Sequence, residues 1–87
     1  MHVKVNTAAL NDHQATISNE AAAKVRMGFN PSALSPVDEI KALAAALISA
    51  CERVQEANPG ALREAAVAIT NAQQASIWAV AAATAHL

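Results

Sequence analysis

Between Lys24 and Pro31 the chain reads Lys24-Val25-Arg26-Met27-Gly28-Phe29-Asn30-Pro31, which gathers two cations, the sole phenylalanine and a side-chain amide within one turn-forming segment. That inventory suits a nucleotide: an aromatic face stacks on a base, a cation neutralises phosphate, and an amide reads a base edge. The same residues also fit a plain structural role, with Phe29 tucked against a helix and Lys24 and Arg26 solvated, and their types alone do not decide between the two.

Other chemistries find little material. There is no glycine-rich phosphate loop, no GxSxG, no HExxH and no cysteine pair. His2, His13 and His86 lie near the termini and lack the i, i+4 spacing that sets two imidazoles on one helical face, so no metal site is expected. Asp38 with Glu39, and Glu52 with Glu56, are explained by a helix N-terminus and a solvated helix face. Neither catalytic residues nor a cofactor are expected. A formal charge of -1 with 15% charged residues makes no broad basic field, so duplex DNA is not an expected partner. Cys51 is alone, which predicts a buried apolar side chain and a cytoplasmic chain rather than a disulfide-stapled one. The start, MHVKVNTAALNDHQ, carries no apolar signal-peptide core, and the longest apolar runs fall short of the roughly 18 residues of a membrane span.

The elements that must position these residues are helical. Residues 1–17 alternate weakly at His2 to Asn6 and then turn polar, which suits a short strand or a flexible arm better than a packed element. Ser18 is expected to cap a short helix over about 19–27, stopped by Gly28, Asn30 and Pro31. Ser35 as N-cap, Pro36 in the first helical position and Asp38 in the acidic place of a capping box predict a second helix over about 36–56. Its single apolar stripe is Ile40, Ala44, Leu47, Cys51 and Val54. Asn58, Pro59 and Gly60 then turn the chain into a third helix over about 60–86, so the last two helices are expected to be antiparallel neighbours. The expected fold is therefore all-α, one domain over 18–87 built on a helical hairpin.

That third helix carries one stripe through Leu62, Ala66, Ile69, Ala72, Ser76, Val80 and Ala83, and a second through Val67, Thr70, Gln74, Ile77, Ala81 and Thr84 with Trp78 beside it. One hairpin cannot cover both. With 54% apolar residues, much of that alanine, and only Phe29 and Trp78 as aromatics, the chain is short of large core residues. A homo-oligomer using Trp78, Ile77 and Val67 as interface is expected, the alternative being that Trp78 fills the core of a monomer.

From about Lys24 to Ala85 the chain resembles the hairpin-domain family shared by the Acb2 and Tad1 proteins, the phage anti-CBASS and anti-Thoeris sponges. The resemblance rests on Arg26-Met-Gly-Phe29-Asn30-Pro31, on Val37-Asp-Glu-Ile40-Lys41 followed by Ala-Leu-Ala, and on Arg63-Glu64 with Ala75-Ser-Ile-Trp78-Ala79-Val80-Ala81-Ala82. It implies a non-enzymatic protein that sequesters cyclic di- or trinucleotide signals, such as cyclic GMP-AMP, in the cytoplasm of an infected bacterium. It also implies a compact assembly, a hexamer, with ligand pockets between protomers. By that resemblance Phe29 stacks on a base and Lys41 meets phosphate, with Arg26, Asn30 and Lys24 around them. Phe29 stands where family members often have tyrosine, removing one hydroxyl. A second, trinucleotide site would draw on His86, where the family uses an arginine. The rival expectation is a helical adaptor that docks another protein through the open face of the hairpin.

Overall fold

The computed structural model describes all 87 residues, Met1–Leu87. Strands β1 (His2–Val5) and β2 (His13–Thr16) are followed by helices α1 (Asn19–Lys24) and α2 (Ser35–Ala57), a 3-10 turn (Pro59–Ala61) and helix α3 (Leu62–Ala83). The principal extents are 43 × 29 × 21 Å, as expected for two long helices lying side by side.

The N-terminal segment is a packed β-hairpin: β1 is the short strand expected at the alternation of His2 to Asn6, while its pairing with β2 and its packing correct the expectation of a flexible arm and of an all-α chain. Strands β1 and β2 pair antiparallel, with Val3 opposite Ala15 and Val5 opposite His13. The odd-numbered residues share the inner face because side chains alternate along a strand. Ala15 and, just beyond it, Ile17 are buried. A two-stranded ribbon is marginal alone, and α2 supplies its support. An Arg53 guanidinium nitrogen donates to the Thr16 carbonyl at 3.1 Å, and Ser49 Oγ accepts from the Ser18 amide at 2.9 Å.

Ser18 caps α1 as expected, its hydroxyl accepting from the Ala21 amide at 3.0 Å and donating to Glu52 Oε1 at 2.7 Å. The far end of α1 differs from expectation. It closes at Lys24, before Gly28, because Arg26 enters the left-handed region at φ 55°. The Met27 amide then reaches the Ala22 carbonyl at 3.0 Å and the Arg26 amide reaches that of Ala23 at 3.1 Å. This paired pattern is the Schellman motif, with arginine where glycine is usual.

Helix α2 begins without the expected capping box. Leu34, not Ser35, holds the N-cap position and offers no side-chain bond. The Asn30 carboxamide brackets Leu34 instead: its Nδ2 donates to the Leu34 carbonyl at 2.8 Å and its Oδ1 accepts from the Leu34 amide at 3.2 Å. The same Nδ2 donates to Asp38 Oδ1 at 3.0 Å, so the acidic residue serves the preceding loop rather than a capping serine. At the other end, Asn58 makes no side-chain cap; the chain passes through the 3-10 turn, and α3 starts at Leu62 and ends at Ala83, three residues short of the expected 86.

The core is small and rich in alanine. Ile17, Ala21, Val25, Ala45, Ala46, Ile48 and Ala72 form its centre, with Val3, Met27 and Ile69 packed around it. Helix α2 buries Val37, Lys41, Ala45, Ile48 and Ser49, and not the stripe of Ile40, Ala44, Leu47, Cys51 and Val54. The reason is competition between two faces: α1 and the β-hairpin cover the one on which Ala45 and Ser49 allow close approach around Val37 and Ile48. The larger stripe borders an apolar groove along α2 and α3 with no further cover, so Cys51 is only half-buried. On α3, Ala65, Ala72 and Ser76 are buried, while Leu62 and Ala66 of the expected inner stripe face outward.

Candidate functional site

The loop between α1 and α2 carries the chemistry, and its shape follows from two residues that look unsuited to their positions. Arg26 takes a glycine-type conformation, and so does Ala33 at φ 51°. Between them Phe29 and Asn30 are turned toward the joint of α2 and the end of α3. The Phe29 amide donates to the Arg26 carbonyl at 2.9 Å and the Ala33 amide to that of Asn30 at 3.0 Å, giving two successive tight turns.

Lys41, in the second turn of α2, closes the loop from beneath. It is 6% exposed, and its ammonium donates to the Arg26 carbonyl at 2.8 Å and to the Phe29 carbonyl. A lysine is rarely this buried without a partner of opposite charge. No carboxylate pairs with it; the chain's single ion pair joins Lys4 and Asp12 on the exposed β-hairpin at 3.3 Å. Asp38 and Glu39, neighbours in sequence, leave Lys41 unpaired. Two carbonyls satisfy two of the three ammonium protons, and the formal charge remains without a counter-ion.

Phe29 is 55% exposed, so its ring is available to a partner. Both cations lie close to it, Arg26 Cζ at 4.6 Å from the ring centroid and Lys41 Nζ at 5.6 Å, within the range of cation–π attraction. A hollow of about 300 Å³ opens here, walled by Phe29, Asn30 and Lys41 on one side and by Val80, Thr84 and Leu87 on the other. That volume lies at the low end of small-molecule sites. Its contents are one aromatic face, one buried cation and an apolar floor.

The residues singled out in the sequence are distributed unevenly. Phe29, Asn30 and Lys41 meet at the hollow, and Arg26 stands against Phe29. The Asn30 amide is engaged within the loop through Leu34 and Asp38. Lys24 has an exposed side chain in no ion pair, while its carbonyl accepts from Gln73 Nε2 at 3.4 Å. His86 is exposed just beyond α3 and outside the walls, although Thr84 and Leu87 beside it are part of them. Trp78, Ile77 and Val67 all face outward on α3, with Trp78 at 72% exposure, so Trp78 does not fill the core of the single chain.

Val80 and Thr84 were not singled out for this hollow, although hairpin geometry could have found them. A turn at Pro59–Gly60 between helices of similar length sets the end of α3 against the start of α2, where Val37 and Lys41 stand. Thr84 donates its hydroxyl to the Val80 carbonyl at 2.8 Å, so its oxygen keeps acceptor capacity toward the hollow. No three His, Cys, Asp or Glu side chains converge anywhere in the chain, and no helix is long and apolar enough to cross a membrane.

No curated protein and no solved structure matches this chain. A family model does: that of the Acb2/Tad1 hairpin domain matches residues 19–84. The matched span starts with α1 and ends just past α3; it takes in Phe29, Lys41 and Thr84 and leaves out the β-hairpin. By a match over most of its length, with the loop and helical pair that carry the hollow inside it, the chain belongs to the Acb2/Tad1 hairpin-domain family.

Proposed function

We propose that the protein is a phage-type sponge that binds cyclic oligonucleotide second messengers and holds them without turnover, so that bacterial antiviral signalling fails. The observation that carries this reading is the buried Lys41 ammonium, without a carboxylate, beneath a half-exposed Phe29 ring. A buried cation left unpaired is costly, and an arriving phosphate supplies the missing charge through a charge-assisted hydrogen bond. The ring supplies a stacking face for the attached base. The hollow holds about one nucleotide unit, so a cyclic dinucleotide is read by two copies of it. Family membership supports the ligand class.

Two copies per ligand require assembly, and the bare apolar surface supports it. Leu43, Leu47 and Val54 along the α2–α3 groove, and Ile77 and Trp78 on the outer face of α3, are each more than half exposed in the single chain. Association as a homohexamer in the cytoplasm of the host cell, covering these faces and facing pairs of hollows toward each other, completes the proposal. The same groove favours a second reading, a helical adaptor that docks a partner helix.

A thermal-shift panel of cyclic di- and trinucleotides separates the two. A ligand at 100 times its dissociation constant stabilises the native state by about 2.7 kcal/mol, a shift easily read in a domain of this size. A rise with at least one cyclic nucleotide and none with the linear dinucleotide supports the sponge. No rise with any of them rejects it.

A further inference from the structure

Helix α1 is six residues long, far below the length at which a helix holds itself, so its two ends must be fixed by something else. At the far end the Lys41 ammonium donates to the Arg26 carbonyl at 2.8 Å. At the near end Ser18 makes three bonds. Its hydroxyl accepts from the Ala21 amide at 3.0 Å, which is all that a cap needs. The other two tie the cap to α2: the Ser18 amide donates to Ser49 Oγ at 2.9 Å, and the Ser18 hydroxyl donates to Glu52 Oε1 at 2.7 Å. Helix α1 is thus a strut strung along α2, between Lys41 at one end and Ser49 and Glu52, roughly 12–16 Å away, at the other.

The β-hairpin holds the same joint from outside. The Ile17 amide donates to the Met1 carbonyl at 2.9 Å, and Arg53, next to Glu52, donates to the Thr16 carbonyl at 3.1 Å. Ile17, Ala21 and Val25 then form one buried row along α1, at steps of four, in a single core with Ala45 and Ile48. Val25 stands directly before Arg26, so a slide of α1 carries the Arg26 carbonyl with it. A shift of about 0.5 Å takes that carbonyl out of the normal hydrogen-bond range of Lys41. The Phe29 amide closes its turn on the same carbonyl at 2.9 Å, so the ring moves too. The family match begins at residue 19, and Ser18 and the β-hairpin lie outside the span it describes.

We infer that the bond between Ser18 and Glu52 is a positioning contact for the ligand loop: acting through α1, it sets where Phe29 stands relative to Lys41, and so contributes to ligand affinity without touching the ligand. Glu52 is not among the residues that wall the hollow. For the ligand this rests on the sponge reading; the ordering of the loop is a property of the free protein.

The test compares Glu52→Ala and Glu52→Gln with the parent protein. Both remove the charge, but glutamine keeps an oxygen for the Ser18 hydroxyl, so only Glu52→Ala loses the bond. Ser18→Gly is measured beside them, since it loses the same bond while glycine remains an accepted N-cap. Each protein is held well below its own melting temperature, titrated calorimetrically with cyclic GMP-AMP, and followed by amide hydrogen exchange without ligand. Glu52→Ala and Ser18→Gly are expected to bind at least roughly fivefold more weakly, as for a coupling between separate sites. Their Met27 and Phe29 amides are expected to exchange roughly tenfold faster, with α2 and α3 exchanging as in the parent. Glu52→Gln is expected to match the parent within about twofold in both measurements. Parent-like affinity and loop exchange in Glu52→Ala overturn the inference. Equal weakening in Glu52→Ala and Glu52→Gln also overturns it, because the charge and not the bond is then at work. Faster exchange spread over all the helices does the same, being the mark of a contact that only stabilises the fold. A parent that does not bind cyclic GMP-AMP counts against the sponge reading instead, and the loop exchange of the ligand-free variants still decides whether the contact positions the loop.

Discussion

Replacing Lys41 by methionine keeps the apolar stem in its slot and removes only the ammonium, so it isolates what the buried charge contributes. Two carbonyls, those of Arg26 and Phe29, lose their donor. A hydrogen bond to a charged group is worth about 1.5–3 kcal/mol, so two such bonds represent roughly 3–6 kcal/mol of gross loss. Against this stands the desolvation of an ammonium in a residue only 6% exposed, itself several kcal/mol, which the substitution removes. The carbonyls belong to a surface loop and can turn to water, which reduces the loss further. The expected net destabilisation is about 1–3 kcal/mol, with each kcal/mol lowering the melting temperature by about 4–8 °C in a domain of this size. Far-UV circular dichroism at matched protein concentration reads it, matched because association makes melting concentration-dependent. Binding of cyclic GMP-AMP should weaken by a further factor, roughly 10- to 150-fold for the loss of one charge-assisted bond. A Lys41→Met protein that melts with the parent would show that the ammonium does not brace the loop. One that also binds as the parent does would remove Lys41 from the site altogether.

Three further substitutions test the framework that holds the loop. Ser18→Ala removes the cap on Ala21 and the bond to Glu52, and should lower unfolding free energy by about 1–2 kcal/mol in urea with an unchanged m-value; a shift below a few tenths would show that the cap is replaced by water. Ile48→Ala empties the largest side chain with no exposure and should cost about 2–5 kcal/mol, a large part of the roughly 4–13 kcal/mol available to a chain of this length. Chemical denaturation checks it, and a loss under 1 kcal/mol would mean that the core around α2 is not close-packed. Trp78→Ser touches a residue 72% exposed, so the fold of the single chain should be unaffected within about 0.5 kcal/mol, whereas light scattering should show the mass falling toward the 8.9 kDa of one chain. A mass equal to the parent's would clear this face of any part in assembly.

Local rules were legible where a residue and its partner are close in sequence. Ser18 reads as a cap because its bond goes three residues ahead, to Ala21. The turn at Asn58–Gly60 reads because proline and glycine interrupt two long apolar patterns. Non-local bonds were not legible. Lys41 near the start of a helix gives no hint of burial, because the carbonyls that accept from it are brought by a turn 12 and 15 residues earlier. Asn30 was misread for another reason: its identity suggested a base reader, yet its carboxamide brackets Leu34, four residues ahead, and reaches Asp38, and so takes over the cap that Ser35 was expected to make.

Side-chain size misled the assignment of faces. The stripe from Ile40 to Val54 is the largest apolar pattern on α2, and pattern reading places the largest residues inside. Here the neighbouring face is buried instead, Val37 and Ile48 together with Ala45 and Ser49, whose small side chains let α1 and the β-hairpin approach closely, while Leu47 and Val54 remain open. A strand at His2 to Asn6 was legible, but its partner was not, because β2 reads His-Gln-Ala-Thr, with one small apolar residue, and only its register against Val3 and Val5 makes a face of it. Phe29, Asn30 and Lys41 were singled out and do converge. Val80 and Thr84 complete the hollow only once the helical pair is closed.

Sequestration without turnover is the central claim, and one measurement addresses it most directly. The purified protein is incubated with cyclic GMP-AMP, freed of unbound nucleotide by gel filtration, heat-denatured, and the released nucleotide identified by mass spectrometry. The account requires cyclic GMP-AMP to be recovered intact, in a fixed ratio to the chain, after minutes and after a day alike. Recovery of a linear or hydrolysed product that accumulates with time would contradict it and make the protein an enzyme; recovery of no nucleotide, from cyclic GMP-AMP and from every other cyclic di- and trinucleotide of the panel in turn, would contradict it in favour of the adaptor.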